Sequence, residues 1–263
     1  MAAHSAQTLL QIKQEGKKFC CLTAYDSTFA GLVDEAGIET LLVGDSLGMV
    51  LQGHKDTLPV TVDDMAYHIR CVARAVKNTL VIGDLPFQSY ATTEQALKSS
   101  AQLMRAGSGM VKLEGGEWLS ESVHSLTERG MPVCGHLGLT PQSVNAFGGF
   151  KVQGRDQSSA DKLIADAIIL EQAGASLLVV ECIPRELGDK VSRALSIPVI
   201  GIGAGPDTDA QVLVLHDMLG LGSHSPRFVR DFMQGADSIQ AAIAAYAEAV
   251  RNGSFPAQEH CFS

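Results

Sequence analysis

The sequence predicts a closed (β/α)8 barrel with a C-terminal helical extension. Eight short apolar runs alternate with helical stretches at intervals of roughly thirty residues. Runs that are apolar throughout indicate parallel strands in a sheet covered on both faces. The length of 263 residues suits such a barrel, which typically takes ~250 residues. An open, doubly wound sheet is the alternative, but no Gly-x-Gly-x-x-Gly follows the first run, which argues against its dinucleotide-binding form.

The eight predicted strands are residues 19–25, 40–43, 79–83, 110–113, 132–134, 177–180, 198–202 and 212–215. Helices are predicted between them at 28–36, 61–76, 92–105, 117–129, 160–172 and 185–196. Asp26 and Thr92 stand where side-chain N-caps are expected, and Gly37, Gly107 and Gly174 stand where left-handed backbone ends a helix. No linker or low-complexity segment interrupts the pattern, so we expect one domain over residues 1–263.

Three segments lie outside this alternation. Residues 46–61 are rich in Gly, Thr and Pro, residues 145–159 have no clear period, and both are predicted to be long loops, which tend to carry function. Residues 228–252 are predicted to form one or two amphipathic helices, which make up the C-terminal extension.

Composition narrows the class of protein. The net charge of −9 argues against binding to nucleic acid or to an anionic membrane surface, because such partners need a basic footprint. The first fourteen residues lack the pattern of a signal peptide, and no apolar run reaches the ~18 residues of a membrane helix. None of the six cysteines forms a Cys-x-x-Cys pair, so we expect buried, reduced thiols rather than zinc ligands or a disulfide. These features predict a cytoplasmic protein.

Acidic residues follow four of the predicted strands, namely Asp45, Asp84, Glu114 and Glu181 after strands two, three, four and six. In a barrel the carboxyl ends of the strands converge on one face, where active sites are built. Neighbouring strands are about 4.8 Å apart, so the first three acids are close enough to share one ion. Three hard oxygen ligands without clustered His or Cys predict Mg²⁺ or a similar cation. The alternative for any single acid is a helix N-cap or a solvated loop residue.

Two further polar residues lie at the predicted strand ends. Lys112 precedes Glu114 by two positions, so both side chains face the same side of the strand. We interpret Lys112 as a clamp for a substrate carboxylate, with a salt bridge to a neighbouring acid as the alternative and a Schiff base disfavoured by those acids. His136 either polarises a carbonyl or hydrogen-bonds the substrate, or it only supports a neighbouring ligand or packs. Trp118 and Met49 are expected to pack rather than to contact a cofactor.

Six segments resemble the ketopantoate hydroxymethyltransferase family. They begin with Val43-Gly44-Asp45-Ser46-Leu47-Gly48-Met49 and continue at 57–61, 83–87, 111–116, 135–142 and 198–205. The resemblance runs from about residue 23 to residue 255, and several segments are seven or more residues long. It implies a (β/α)8 barrel of the phosphoenolpyruvate/pyruvate superfamily, which agrees with the fold predicted from the apolar pattern.

The resemblance also implies a reaction. A one-carbon unit would pass from 5,10-methylenetetrahydrofolate, the co-substrate, to the 2-oxo acid 3-methyl-2-oxobutanoate, giving 2-dehydropantoate for pantothenate and coenzyme A biosynthesis through a Mg²⁺-stabilised enolate. Family members use Mg²⁺ and assemble as homodecamers. Carried over by motif, Asp45, Asp84 and Glu114 would bind the metal, and Asp45, Ser46, Asp84 and Lys112 would contact the keto acid. Glu181, the acid set apart from the other three, would accept the proton.

Two alternatives remain at this point. One is another Mg²⁺-dependent lyase or transferase that acts on 2-oxo acids in the same superfamily. Isocitrate-lyase-type and phosphonopyruvate-cleaving enzymes carry a reactive cysteine in a mobile loop, and neither long loop here contains a cysteine. The other is a non-catalytic sensor of a metal–oxo-acid complex, which would keep the metal ligands but would not need Glu181.

Overall fold

Eight parallel strands form a closed barrel in a computed structural model that describes residues 4–222 and 225–263. The strands are β1 (Phe19–Thr23), β2 (Thr40–Val43), β3 (Leu80–Asp84), β4 (Met110–Glu114), β5 (Val133–Gly138), β6 (Leu177–Glu181), β7 (Val199–Ile202) and β8 (Ala210–Leu213). Each strand pairs with the next in chain order, and β8 pairs with β1 to close the sheet. The predicted (β/α)8 barrel is confirmed.

Helices surround this barrel and follow most of its strands. They are α1 (Ala6–Gln14), α2 (Ser27–Glu35), α3 (Leu47–Val50), α4 (Val62–Ala73), α5 (Thr93–Ala106), α6 (Ser120–Thr127), α7 (Val144–Phe147), α8 (Gln157–Gln172), α9 (Arg185–Ala194), α10 (Leu215–Met218) and α11 (Ile239–Arg251). The side chain of Asp26 caps α2, and that of Thr92 caps α5, as predicted. Within the described ranges no helix is long and apolar enough to cross a bilayer.

Several predicted boundaries are wrong. The last strand was predicted at 212–215 but spans Ala210–Leu213, because Val214 turns the chain into α10 and the Leu215 N–H donates to the Thr23 hydroxyl instead of to the ladder. The C-terminal extension has one helix, α11, which starts eleven residues later than the predicted segment 228–252. The predicted loop at 145–159 contains most of α7 and the first turn of α8.

Two layers of apolar side chains hold the barrel. One layer lies between the sheet and the helices, and the other fills the interior near the amino ends of the strands. Leu9 of α1 joins the interior layer and is completely buried, so α1 covers that end of the barrel. Along β4, Met110 faces the interior while Val111 and Leu113 face the helices. The alternation of a strand therefore directs the polar residues of β4 into the open, carboxyl-end half of the interior.

Helix α11 lies against the seam where the first and last strands meet. The Tyr246 hydroxyl is 2.9 Å from the carbonyl oxygen of Cys21 on β1 and 2.8 Å from that of Gln211 on β8. Arg251 at the end of α11 forms an ion pair with Glu39, at 2.8 Å.

All six cysteines are free thiols; five are buried, and Cys71 on α4 is partly exposed. Burial raises the pKa of Cys21 to about 12, so this interior thiol stays protonated and unreactive.

Candidate active site

The carboxyl ends of β2 to β6 bring seven predicted polar residues to one mouth of the barrel. Strand register sets their neighbours: Asp84 lies opposite Lys112, and Glu114 lies opposite His136. Glu181 lies opposite Gly138, one strand further round. The three acids of β3, β4 and β6 are the last residues of their strands. The acids at the strand ends were expected to converge on one face of the barrel, and the structure shows this convergence.

Asp45, Asp84 and Glu114 form a buried cluster whose ligand oxygens all lie within 4.8 Å of one another. Burial raises the pKa of Asp45 well above its usual value, and the neighbouring charges of Asp84 and Glu114 raise it further. Carboxylates held this close and this deep call for a compensating cation. Three carboxylate groups with no sulfur or imidazole in the set suit a hard divalent ion. This cluster fits a metal such as Mg²⁺.

Lys112 places a positive charge within the cluster. Its Nζ lies 2.7 Å from both carboxylate oxygens of Asp84 and 3.2 Å from Glu114 Oε1. Burial lowers the pKa of Lys112, but the three carboxylates outweigh burial and raise it well above its usual value. A permanently protonated amine does not form a Schiff base. The structure thus shows the salt bridge that was the alternative for Lys112, and the substrate clamp remains a prediction.

His136 links the acid cluster to Glu181. Its Nδ1 lies 3.1 Å from Glu114 Oε1, and its Nε2 lies 3.3 Å from Glu181 Oε2. Burial and the charge of Lys112 both lower the pKa of His136, but the carboxylates of Glu114 and Glu181 raise it to about 9. The ring faces a carboxylate on each side, and these two charges favour its protonated form. His136 thus contacts two acids of the site, as expected of a residue that supports neighbouring ligands, and its contact with a substrate carbonyl remains a prediction.

Glu181 is separated from the acid cluster by His136 and is the most exposed of the four acids, at 15% for its side chain against 2% for Asp84 and Glu114. The backbone around it is constrained. Its carbonyl oxygen accepts the Leu139 N–H at 2.8 Å, and the next residue, Cys182, has a left-handed φ of 46°. Such a conformation costs about 1–3 kcal/mol in a non-glycine residue, so packing around this turn holds Glu181 at the mouth.

Ser46 lies beside Asp45 at the start of α3. Its hydroxyl is 2.8 Å from the Tyr25 hydroxyl, and its side chain is only partly buried. No side-chain cap bond is formed by Ser46, although it occupies the N-cap position of α3. The structure places it at the mouth with the acids, and its contact with the keto acid remains a prediction.

Sequence reasoning missed two residues of the site, Gln142 and Tyr90. Both are buried, and each contacts Glu114 through hydrogen bonds. Gln142 could have been found from the family resemblance, because it lies within the segment 135–142 that carries it. It was missed because it lies beyond the end of the strand and is not one of the acids that follow the strands. The packing expected for Trp118 is wrong in part: one face stacks on Tyr90, yet the residue is 61% exposed.

Comparison with known proteins agrees with this geometry. A family model described as ketopantoate hydroxymethyltransferase matches residues 3–258. A 3-methyl-2-oxobutanoate hydroxymethyltransferase of Shewanella loihica is 61% identical, and one of Shewanella oneidensis is 60% identical, each over the full length of both chains. Among solved structures, phosphonopyruvate hydrolase in complex with oxalate and Mg²⁺ superposes with a TM-score of 0.62 at 14% identity, over 98% of this chain and 93% of that one. The chain therefore belongs to the ketopantoate hydroxymethyltransferase family of enzymes.

Proposed function

We propose that the protein transfers the one-carbon unit of 5,10-methylenetetrahydrofolate to 3-methyl-2-oxobutanoate, giving 2-dehydropantoate for pantothenate and coenzyme A biosynthesis. The observation that carries the proposal is the division of the acids into two groups. Asp45, Asp84 and Glu114 form one cluster within 4.8 Å, and Glu181 stands apart behind His136. A metal site with a separate base is what proton removal next to a ketone requires.

The metal proposal assigns Mg²⁺ to Asp45, Asp84 and Glu114. When bound, this cation supplies Lewis-acid stabilisation of the negative charge that develops on the keto oxygen as C3 is deprotonated. Lys112 and Ser46 are the proposed contacts for the carboxylate of the keto acid, and Lys112 also balances the charge of Asp84. A solved structure of the same barrel type is described as a complex with oxalate and Mg²⁺, which is consistent with a small oxo acid or diacid at such a mouth.

Glu181 is the proposed base. It takes the proton from C3 of the keto acid, and His136, whose Nε2 lies 3.3 Å from Glu181 Oε2, holds this carboxylate in place. The electron pair of C3 forms a bond to the methylene carbon of the folate. Both bonds from that carbon to folate nitrogens break, and water supplies the hydroxyl group. The products are 2-dehydropantoate and tetrahydrofolate, with the released protons taken up by the two nitrogens.

Assembly and location belong to the same proposal. The family resemblance supports a homodecamer, and the six free cysteines are typical of a protein in the reducing cytoplasm. The net charge of −9 supports small-molecule partners over nucleic acid or an anionic membrane.

The decisive experiment combines turnover with isotope exchange. The purified protein is given 3-methyl-2-oxobutanoate, methylenetetrahydrofolate and Mg²⁺, with and without a chelator, and formation of 2-dehydropantoate is measured. Glu181→Gln should keep the keto acid bound but lose exchange of the C3 hydrogen with solvent. Glu186→Gln, which alters an exposed acid on the nearby helix α9, is the matched control and should leave exchange unchanged.

The outcomes separate the proposal from its alternatives. Exchange that persists in Glu181→Gln would remove this residue from the role of base. If the oxo acid binds, the chelator abolishes this binding and no turnover is detected, the protein is a sensor instead of an enzyme. Turnover of other 2-oxo acids in preference to 3-methyl-2-oxobutanoate would indicate a different enzyme of the same barrel superfamily.

A further inference from the structure

Gln142 contacts residues at the carboxyl ends of three different strands. It lies in a 3-10 turn, Pro141–Ser143, after β5 and is 6% exposed. Its side-chain Nε2 is 2.9 Å from Asp45 Oδ2 and 2.9 Å from the carbonyl oxygen of Leu85. Its backbone N–H donates to Glu114 Oε2 at 3.1 Å. One residue therefore hydrogen-bonds two acids of the cluster at once, one through its side chain and one through its backbone.

The orientation of the Gln142 amide has only one chemically consistent solution. Nε2 faces a carboxylate and a carbonyl oxygen, both acceptors, so both of its hydrogens are used. Oε1 accepts the hydroxyl hydrogen of Tyr90 at 2.6 Å. The flipped amide would point Oε1 at Asp45 and at the Leu85 carbonyl, placing three acceptors together. Tyr90 thus sets the rotation of the amide, and the amide sets the position of Asp45.

Tyr90 is itself held rigidly. It is 5% exposed, its hydroxyl oxygen accepts the Glu114 N–H at 3.3 Å, and its ring stacks on Trp118 with the ring centroids 6.2 Å apart and the planes inclined by 11°. Trp118 lies so close over Gly115 that an added Cβ there would come within 2.6 Å of the indole. The chain of contacts from Trp118 through Tyr90 to Gln142 is continuous, and it ends on the acids.

We infer that Gln142 is a positioning residue that holds Asp45 and Glu114 in the arrangement that receives the divalent cation, with Tyr90 fixing its amide. The inference rests on the metal assignment made under Proposed function. Partners of this kind, which touch the ligands but not the metal, orient the ligands before binding, and their loss typically costs about tenfold to a hundredfold in metal affinity. Without Gln142, Asp45 would have to be oriented by the ion at the moment of binding.

The test measures metal affinity directly, by calorimetric titration with Mg²⁺ and by electron paramagnetic resonance with Mn²⁺ as the probe. Gln142→Met keeps the length of the side chain and removes its hydrogen bonds, so affinity should fall about tenfold to a hundredfold. Tyr90→Phe removes only the hydroxyl, and we expect a loss of about twofold to tenfold. Thermal unfolding of each metal-free variant shows whether it is folded at the temperature of the titration.

Gln211→Met is the matched control. Gln211 is also a buried glutamine of the barrel, on β8, but its amide donates to the Gly205 carbonyl and to the Thr208 hydroxyl and not to an acid. The metal affinity of Gln211→Met should equal that of the unaltered protein. A second readout is turnover at limiting and saturating Mg²⁺: excess cation should restore most of the activity of Gln142→Met, which it would not do if the substitution had damaged the fold.

The results distinguish the inference from the proposed function. Asp84→Asn serves as the reference for loss of a ligand. If Asp84→Asn binds more weakly but Gln142→Met binds like the unaltered protein, the positioning role is refuted and the metal site stands. If the unaltered protein binds no divalent cation, or if Asp84→Asn binds as well as the unaltered protein, the metal assignment fails and the positioning role fails with it. Weaker binding by both variants supports both statements.

Discussion

Removing the charge of Lys112 tests the electrostatic account of the site most directly. Lys112→Met keeps the aliphatic stem but leaves Asp84 and Glu114 without the ammonium that lies 2.7 Å and 3.2 Å from them. Breaking a buried ion pair by deleting one partner typically costs about 3–5 kcal/mol, and Lys112 is only 3% exposed. At about 2–4 °C per kcal/mol for a chain of this size, the metal-free variant should unfold about 6–20 °C below the unaltered protein.

Added Mg²⁺ should reverse much of this loss. A ligand that binds only the folded state raises the unfolding free energy by about 2.7 kcal/mol at a hundred times its dissociation constant. In the variant the cation also replaces the missing positive charge and no longer meets repulsion from Lys112. Mg²⁺ should therefore raise the unfolding free energy of Lys112→Met by more than it raises that of the unaltered protein. Urea unfolding at matched protein concentration, with and without Mg²⁺, measures both values.

Lys13→Met is the control for this experiment. Lys13 is another shielded lysine, with Nζ 2.9 Å from Asp209 and from the carbonyl oxygens of Ser192 and Ile197. It is remote from the acid cluster, so its loss should destabilise the protein by an amount that does not change with Mg²⁺. The reasoning is refuted if Lys112→Met costs less than about 1 kcal/mol without metal, or if Mg²⁺ stabilises it no more than it stabilises the unaltered protein.

Two further substitutions test the backbone at Gly138 and the hydrogen bonds of the partly buried Asp34 carboxylate. Gly138→Ala should lower turnover strongly, because φ is 90° at this position and the added Cβ would overlap the Glu181 carbonyl oxygen. Gly130→Ala is the control. Its φ of 77° is similar but the space around it is open, so this substitution should lower stability without lowering turnover. Asp34→Asn should lower the unfolding free energy by about 1–3 kcal/mol at pH 7, because Asp34 accepts the backbone N–H groups of Asn78 and Thr79 at 2.9 and 2.8 Å.

The effect of Asp34→Asn should depend on pH in a defined direction. Burial raises the pKa of Asp34, but the N–H groups of Asn78 and Thr79 outweigh burial and hold it below its ordinary value. A carboxylate whose pKa is lower in the folded protein than in the unfolded chain stabilises the folded state at every pH above the unfolded pKa of about 3.9. This stabilisation disappears as the pH falls through the pKa of the folded protein. The unfolding free energies of the unaltered protein and of Asp34→Asn are measured with urea. The difference between them should be constant from about pH 5 to 7 and shrink below about pH 4. A difference that grows on acidification would contradict this account.

The sequence predicted the barrel because its signals are local. Apolar runs mark the strands, and side chains such as Asp26 and Thr92 mark the helix starts; the structure uses both as N-caps. The convergence of Asp45, Asp84 and Glu114 was also predictable, since strand ends in a closed parallel sheet meet at one mouth. Boundaries were less predictable where a tertiary bond competes with the ladder, as at Leu215, whose N–H donates to Thr23.

Gln142 and Tyr90 were not predictable from the pattern, because their contacts depend on how two loops fold back over the mouth. Nothing in the local sequence of Gln142 shows that its amide reaches Asp45, 97 positions earlier. The ion pair of Lys112 with Asp84 is a middle case. Alternation along β4 put Lys112 and Glu114 on one face, but only the register of β3 against β4 places Asp84 beside the lysine.

The seam covered by Tyr246 has a consequence for folding. β1 ends at Thr23 and β8 begins only at Ala210, yet the two strands must pair to close the sheet. The Tyr246 hydroxyl contacts the carbonyl groups of Cys21 and Gln211 across that seam. Closure therefore depends on contacts of very long sequence separation, which form slowly. Until β8 and α11 are in place, β1 keeps an unpaired edge that invites pairing with other chains. Fragments that end before α11 should accordingly aggregate during refolding, while the full chain recovers.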